Sequence, residues 1–110
     1  MNYPKEIFKN KRTGESYVKI KHPSGLDDLI WEMKDFTTVE AAFAAKYGSN
    51  NTRFKTCENK DFIEVPEGIA HFLEHKQYEN QDGDAVELYA ETGSNANAYT
   101  TFDHTAYTFS

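Results

Sequence analysis

His71-Phe72-Leu73-Glu74-His75 places two imidazoles and a carboxylate within five residues. In a helix, positions 71 and 75 lie one turn apart on the same face. Two imidazoles so spaced can converge on one Zn²⁺ at about 2.0–2.1 Å each. Glu74, three residues after His71 and one before His75, borders that face. Its carboxylate can reach a water beside the metal without being a ligand, which is where a general base belongs. The order H-x-x-E-H reverses the common zinc-protease motif H-E-x-x-H and encodes metal-assisted hydrolysis of an amide bond. An amphipathic surface helix can also carry two histidines by chance, and this plainer reading stands beside the chemical one. Yet the chain has only His22, His71, His75 and His104, and two of these fall in one turn among Ile69, Ala70, Phe72 and Leu73. Imidazoles in so apolar a segment need partners.

A catalytic zinc takes three protein ligands and keeps one position open for water. His71 and His75 supply two. Glu79 lies one turn further along, while Asp82, Asp84, Glu87 and Glu91 reach the site only if a second helix packs back over the first. A solvated acidic face is the better account of all five.

The elements that must position these groups follow from periodicity and turn chemistry. Residues 1–15 form an entry segment, with Tyr3 and Phe8 as anchors and Thr13-Gly14 as a turn. Tyr17–His22 alternates as a strand, with Val18, Ile20 and His22 opposite Lys19 and Lys21. Pro23-Ser24-Gly25 ends it. A second strand runs over Leu29–Met33, and a third over Val39–Tyr47, whose alanines also suit a helix. Together these place strands across 16–49. Residues 50–64 read as loop. Val65-Pro66-Glu67-Gly68 opens a helical metal-motif region over 65–92, with the motif helix from about 67 to 79. Asp82 or Asp84 caps a second helix through Glu91, and Gly93 suits the left-handed position after it. Asn97–Phe109 reads as one strand within a 95–110 segment. The order β-β-β-α-α-β gives an α+β fold: an antiparallel sheet with both helices packed on one face.

With 110 residues, 38% of them hydrophobic, the chain is one domain with material for a core. Residues 1–60 carry a net charge of +3 and residues 61–110 carry −9, so the acidic half holds the candidate cation site. No basic stripe marks a nucleic-acid partner, and no apolar run is long enough for a membrane span. Cys57 is the only cysteine, which excludes internal disulfides, and with no N-terminal apolar run resembling a signal peptide a cytoplasmic protein is the default.

Three runs together resemble the pitrilysin family of zinc peptidases, which includes insulin-degrading enzyme and the mitochondrial processing peptidase. They are Gly68-Ile69-Ala70-His71-Phe72-Leu73-Glu74-His75, Gly93-Ser94-Asn95-Ala96-Asn97-Ala98-Tyr99-Thr100 and His104-Thr105-Ala106-Tyr107. Ala42-Phe43 and Tyr47-Gly48-Ser49 also fit the strand before the family's motif, and the likeness is greatest to the bacterial branch. The resemblance implies that His71 and His75 bind Zn²⁺ and that Glu74 is the general base. It implies a third ligand, a Glu about seventy to eighty residues beyond the second histidine, which falls outside this chain. The sequence would then be the opening, incomplete part of a peptidase domain and inactive by itself. The resemblance further implies that Asn97, Ala98 and Tyr99 form an edge strand that binds extended peptide substrate. Dimers, with a second copy or a homologous subunit, are common in the family. A non-catalytic binding module with a partner-completed metal site is the competing functional reading. An ordinary core strand with Tyr99 and Phe102 packed inside is the competing structural one.

Overall fold

Short apolar runs flanked by charged residues build the first sheet of this computed structural model, which describes residues 3–110. Residues 1 and 2 of the expected leading segment lie outside the described residues. Strands β1 (Lys5–Lys9), β2 (Ser16–Lys21) and β3 (Asp27–Trp31) form an antiparallel meander in that order. Its register aligns Ile7, Val18 and Ile30 on one face and Phe8, Tyr17 and Trp31 on the other. The aromatic rings stack across the strands, with centroids 4.9 Å apart for Phe8 and Tyr17 and 4.4 Å for Tyr17 and Trp31. Such cross-strand pairs are what stabilise an otherwise thin sheet. They also explain β1, which lies inside the expected entry segment. Lys5-Glu6-Ile7-Phe8-Lys9 has no alternation of its own and becomes a strand by pairing. β3 begins and ends two residues earlier than the expected Leu29–Met33.

The chain divides into two compact units between Thr37 and Thr38, where the sequence suggested one domain. The second unit contains β4 (Ala41–Ala45), the short pair β5 (Arg53–Phe54) and β6 (Ile63–Glu64), and α1 (Ile69–Tyr78). It continues with the short pair β7 (Glu79–Asn80) and β8 (Gly83–Asp84), α2 (Ala85–Glu91), β9 (Ala96–Thr100) and β10 (Thr105–Phe109). β4, β10 and β9 make an antiparallel sheet in that order. Pairing with β10 decides the strand-or-helix ambiguity of the alanine-rich β4 in favour of strand.

The expected single strand Asn97–Phe109 is a hairpin. Thr101–His104 forms the turn: Thr101 N–H donates to His104 O at 2.8 Å, and His104 N–H donates to Thr101 Oγ1 at 3.3 Å. A polar hydroxyl that bonds nearby backbone competes with the strand ladder. The turn is strapped to the residues after β4, since Ser49 N–H donates to Thr101 O and Asn50 N–H to Phe102 O, each at 2.9 Å.

Both helices lie on one face of this sheet, as the α+β reading requires. Tyr78 of α1 meets Tyr107, and Tyr89 of α2 meets Phe109, with ring centroids 6.0 and 5.3 Å apart. α1 starts later than expected because Gly68, at φ 89°, is left-handed and sets the chain's entry into the helix. Asp84, not Asp82, caps α2, its carboxylate accepting Val86 N–H at 2.9 Å. At the other end Gly93 (φ 77°) closes a Schellman turn in which Ser94 N–H donates to Tyr89 O and Gly93 N–H to Ala90 O. Among the described residues the buried set is small: Gly48, Ala70, Glu74, Thr105 and Ala106. Phe43, Leu73 and Leu88 remain exposed, so the apolar content of the sequence forms less of a core than expected.

Candidate active site

Ala70, Glu74 and Tyr78, spaced four residues apart, turn one side of α1 to the sheet and leave His71 and His75 exposed. Their Nε2 atoms lie 2.9 Å apart, with ring centroids at 4.8 Å. Nitrogens bound tetrahedrally to zinc at about 2.0–2.1 Å would lie about 3.3 Å apart, so a rotation of a few tenths of an ångström makes room for the ion. The donor set fits the metal. One ligand atom from each of His71, Glu74 and His75 lies within 4.8 Å of the others, and this is the one such group among the described residues.

Glu74 differs from both histidines in being buried, 7% exposed. Its Oε2 accepts a hydrogen bond from Thr100 Oγ1 at 2.5 Å, while no described side chain bonds Oε1. A buried carboxylate with one oxygen fixed and one available is suited to taking a proton. Its charge is felt nearby. The Tyr78 phenol is raised above its usual range by burial first, then by Tyr107, Tyr89 and Glu74. Tyr107 is raised by burial and by Glu74.

Two of the five alternative acidic groups are engaged elsewhere. Glu79 Oε2 pairs with Lys76 Nζ at 2.6 Å, and Asp84 caps α2. Glu79 and Asp84 nonetheless line, with Glu74, His75 and Asn97, an open groove of about 300 Å³ beside the motif. That groove concentrates negative potential around the cation site.

β9 is an edge strand of its sheet, with β10 as its single strand neighbour. Asn95 and Ser110 exchange two 2.9 Å backbone bonds, and Thr101 N–H bonds His104 O. By the alternation of an antiparallel ladder, Ala96, Ala98 and Thr100 therefore turn their N–H and C=O groups away from β10. Asn97 Oδ1 accepts Ala98 N–H at 2.9 Å, covering one of those groups. Tyr99 points to the far face and is 50% exposed, and Phe102 is 73% exposed. The core-strand alternative for these two rings is thereby overturned. His104 sits in the hairpin turn, its Nδ1 2.7 Å from Asp103 Oδ1 and 2.8 Å from Thr101 Oγ1. The His104 bond first, and then a 3.2 Å bond from Thr101 Oγ1, hold the Asp103 carboxyl below its usual range.

Two residues at the site carried no role in the sequence. Thr100 holds Glu74, and Tyr78 Oη donates to Asn97 O at 2.9 Å. Period-two spacing from Ala96 and Ala98 is the signal that sets Thr100 on the helix-facing side.

Comparison with known proteins adds three findings. The profile of Insulinase (Peptidase family M16) matches residues 62–110. The uncharacterized zinc protease YmfH of Bacillus subtilis (strain 168) is 44% identical over 96 residues, 87% of this chain and 22% of that protein. The crystal structure of a putative M16-like peptidase from Alicyclobacillus acidocaldarius superposes with a TM-score of 0.70 at 33% identity, over 99% of this chain and 22% of that one. The chain thus spans about a fifth of the length of these relatives. No described helix is long and apolar enough to cross a membrane.

Proposed function

We propose, for a chain that belongs to the insulinase family of zinc peptidases (M16), that it forms part of a metallopeptidase site for extended peptides. His71 and His75 hold Zn²⁺ through their converging Nε2 atoms, and that convergence carries the reading. When bound, the ion polarises the scissile carbonyl and acidifies water. Glu74 accepts the proton on Oε1 and returns it to the leaving amine. Ala96, Ala98 and Thr100 offer outward backbone groups to which a peptide adds as a further strand, giving affinity with little sequence preference. Asn97 swings its amide from Ala98 to the peptide backbone, and Tyr99 lines the same edge.

The third ligand comes from outside these 110 residues, so the chain alone binds zinc weakly and does not hydrolyse peptides. Pairing with a second copy or a homologous subunit belongs to the same reading, as does a cytoplasmic location, supported by the exposed, unpaired thiol of Cys57.

Zinc titration of the chain by calorimetry tests the metal site. Binding at about one ion per chain, lost in His71→Ala and in His75→Ala and kept in Glu74→Gln, is expected. Equal binding by all four proteins would reject the assignment. Zinc-dependent peptide cleavage by the isolated chain, abolished by Glu74→Gln, would overturn its inactivity.

A further inference from the structure

We infer that Thr100 is a positioning residue that aligns the general base with the bound peptide. The inference rests on the reading of Glu74 as that base. Thr100 joins two functions in one side chain and one peptide unit. Its hydroxyl donates to Glu74 Oε2 at 2.5 Å, across 26 residues of sequence, and holds the carboxylate of α1 against β9. Its own N–H and C=O belong to the set that faces away from β10, where a peptide strand would add. A rotation of Glu74 therefore cannot occur independently of the strand that fixes the register of the substrate.

A second tie makes the alignment two-point. Tyr78, one turn after Glu74 on α1, donates to Asn97 O on the same strand at 2.9 Å. Glu74 and Tyr78 thus meet Thr100 and Asn97 along the length of β9. With Oε2 fixed by Thr100, the proton-accepting role falls to Oε1, whose direction is set by the hydroxyl. Charge-assisted bonds of this kind are short and directional. A misplacement of about 1 Å in a reacting group can cost on the order of a hundredfold in rate.

Thr100→Val keeps the branched shape and strand preference but removes the donor; Thr100→Ser keeps the donor and removes a methyl group. In the 110-residue chain, carbon-13 NMR of the Glu74 carboxylate should show a shifted signal in Thr100→Val and a wild-type signal in Thr100→Ser. In the zinc-loaded full-length peptidase, Thr100→Val should lower kcat by about tenfold to a hundredfold with KM unchanged. Thr100→Ser should restore kcat to within about threefold of wild type. Wild-type kcat in Thr100→Val, or equal losses in Val and Ser, would overturn the inference, the second outcome marking Thr100 as a packing residue only. An unmoved Glu74 signal in Thr100→Val would overturn it as well. A Glu74→Gln enzyme that still cleaves peptide would instead remove the base reading, while leaving the Thr100-dependent carboxylate signal of the wild-type chain in place.

Discussion

Gly48 has no side chain, and a Cβ built there would lie 2.5 Å from backbone atoms of Thr101, Phe102 and Asp103. Backbone cannot yield as the end of a flexible side chain can. The glycine therefore allows the residues after β4 to reach the β9–β10 turn, where Ser49 and Asn50 bond the carbonyls of Thr101 and Phe102. Thr105 Oγ1 adds a 2.7 Å bond to Tyr47 O in the same place. Gly48→Ala should cost about 1–3 kcal/mol through overpacking, read as a lower denaturant midpoint. Unchanged stability would mean that the turn and the strap are independent. The same turn holds Thr100 one residue away from its first member, so Gly48 supports the proposed base at one remove.

At the scale of elements, two short helices depend on their ends more than on their length. α2 has seven residues, below what a helix sustains alone in water. Its start is fixed by Asp84 Oδ1 on Val86 N–H, and its end by the left-handed Gly93. Asp84→Ala should destabilise the unit by about 1 kcal/mol, seen as a fall in thermal midpoint. Asp82→Ala, a surface change without a cap, should stay within about 0.5 kcal/mol. Equal effects of the two would contradict the cap. Sequence pattern showed that a helix began near 84 but left both aspartates eligible, because either can accept a bond from a first-turn N–H. The strand side was read less well. β1 has no periodicity to detect, and the hairpin of β9 and β10 looked like one strand because Thr101-Phe102-Asp103-His104 contains neither Gly nor Pro. Its turn is made by hydroxyl and carboxylate bonds instead.

For the molecule as a whole, the second unit leaves apolar surface open. Phe43, Leu73, Tyr89, Tyr107 and Phe109 border a groove of about 600 Å³ between the helices and the sheet. Phe43 and Leu73 stay largely exposed because α1 and α2 cover the β9 side of the sheet rather than β4. Exposed apolar surface of this kind favours association. Sedimentation equilibrium of the chain should show an average mass that rises with concentration, and Phe43→Lys should reduce the rise. A concentration-independent monomer mass for the wild-type chain would contradict this.

The grouping of the candidate site was legible in five residues, because helical spacing alone brings His71 and His75 to one face and sets Glu74 at its border. Family likeness extended that to the edge strand. What distinguishes Glu74 from the histidines is its burial and its bond to Thr100, and neither follows from local sequence. Both arise because β9 folds back against α1, and contacts across 26 residues are set by packing rather than by periodicity. The sequence by itself determined which groups can hold a metal and move a proton. Tertiary structure decided which carboxylate oxygen is bonded and which is left free of it, since a hydrogen bond fixes one oxygen only when its partner strand arrives.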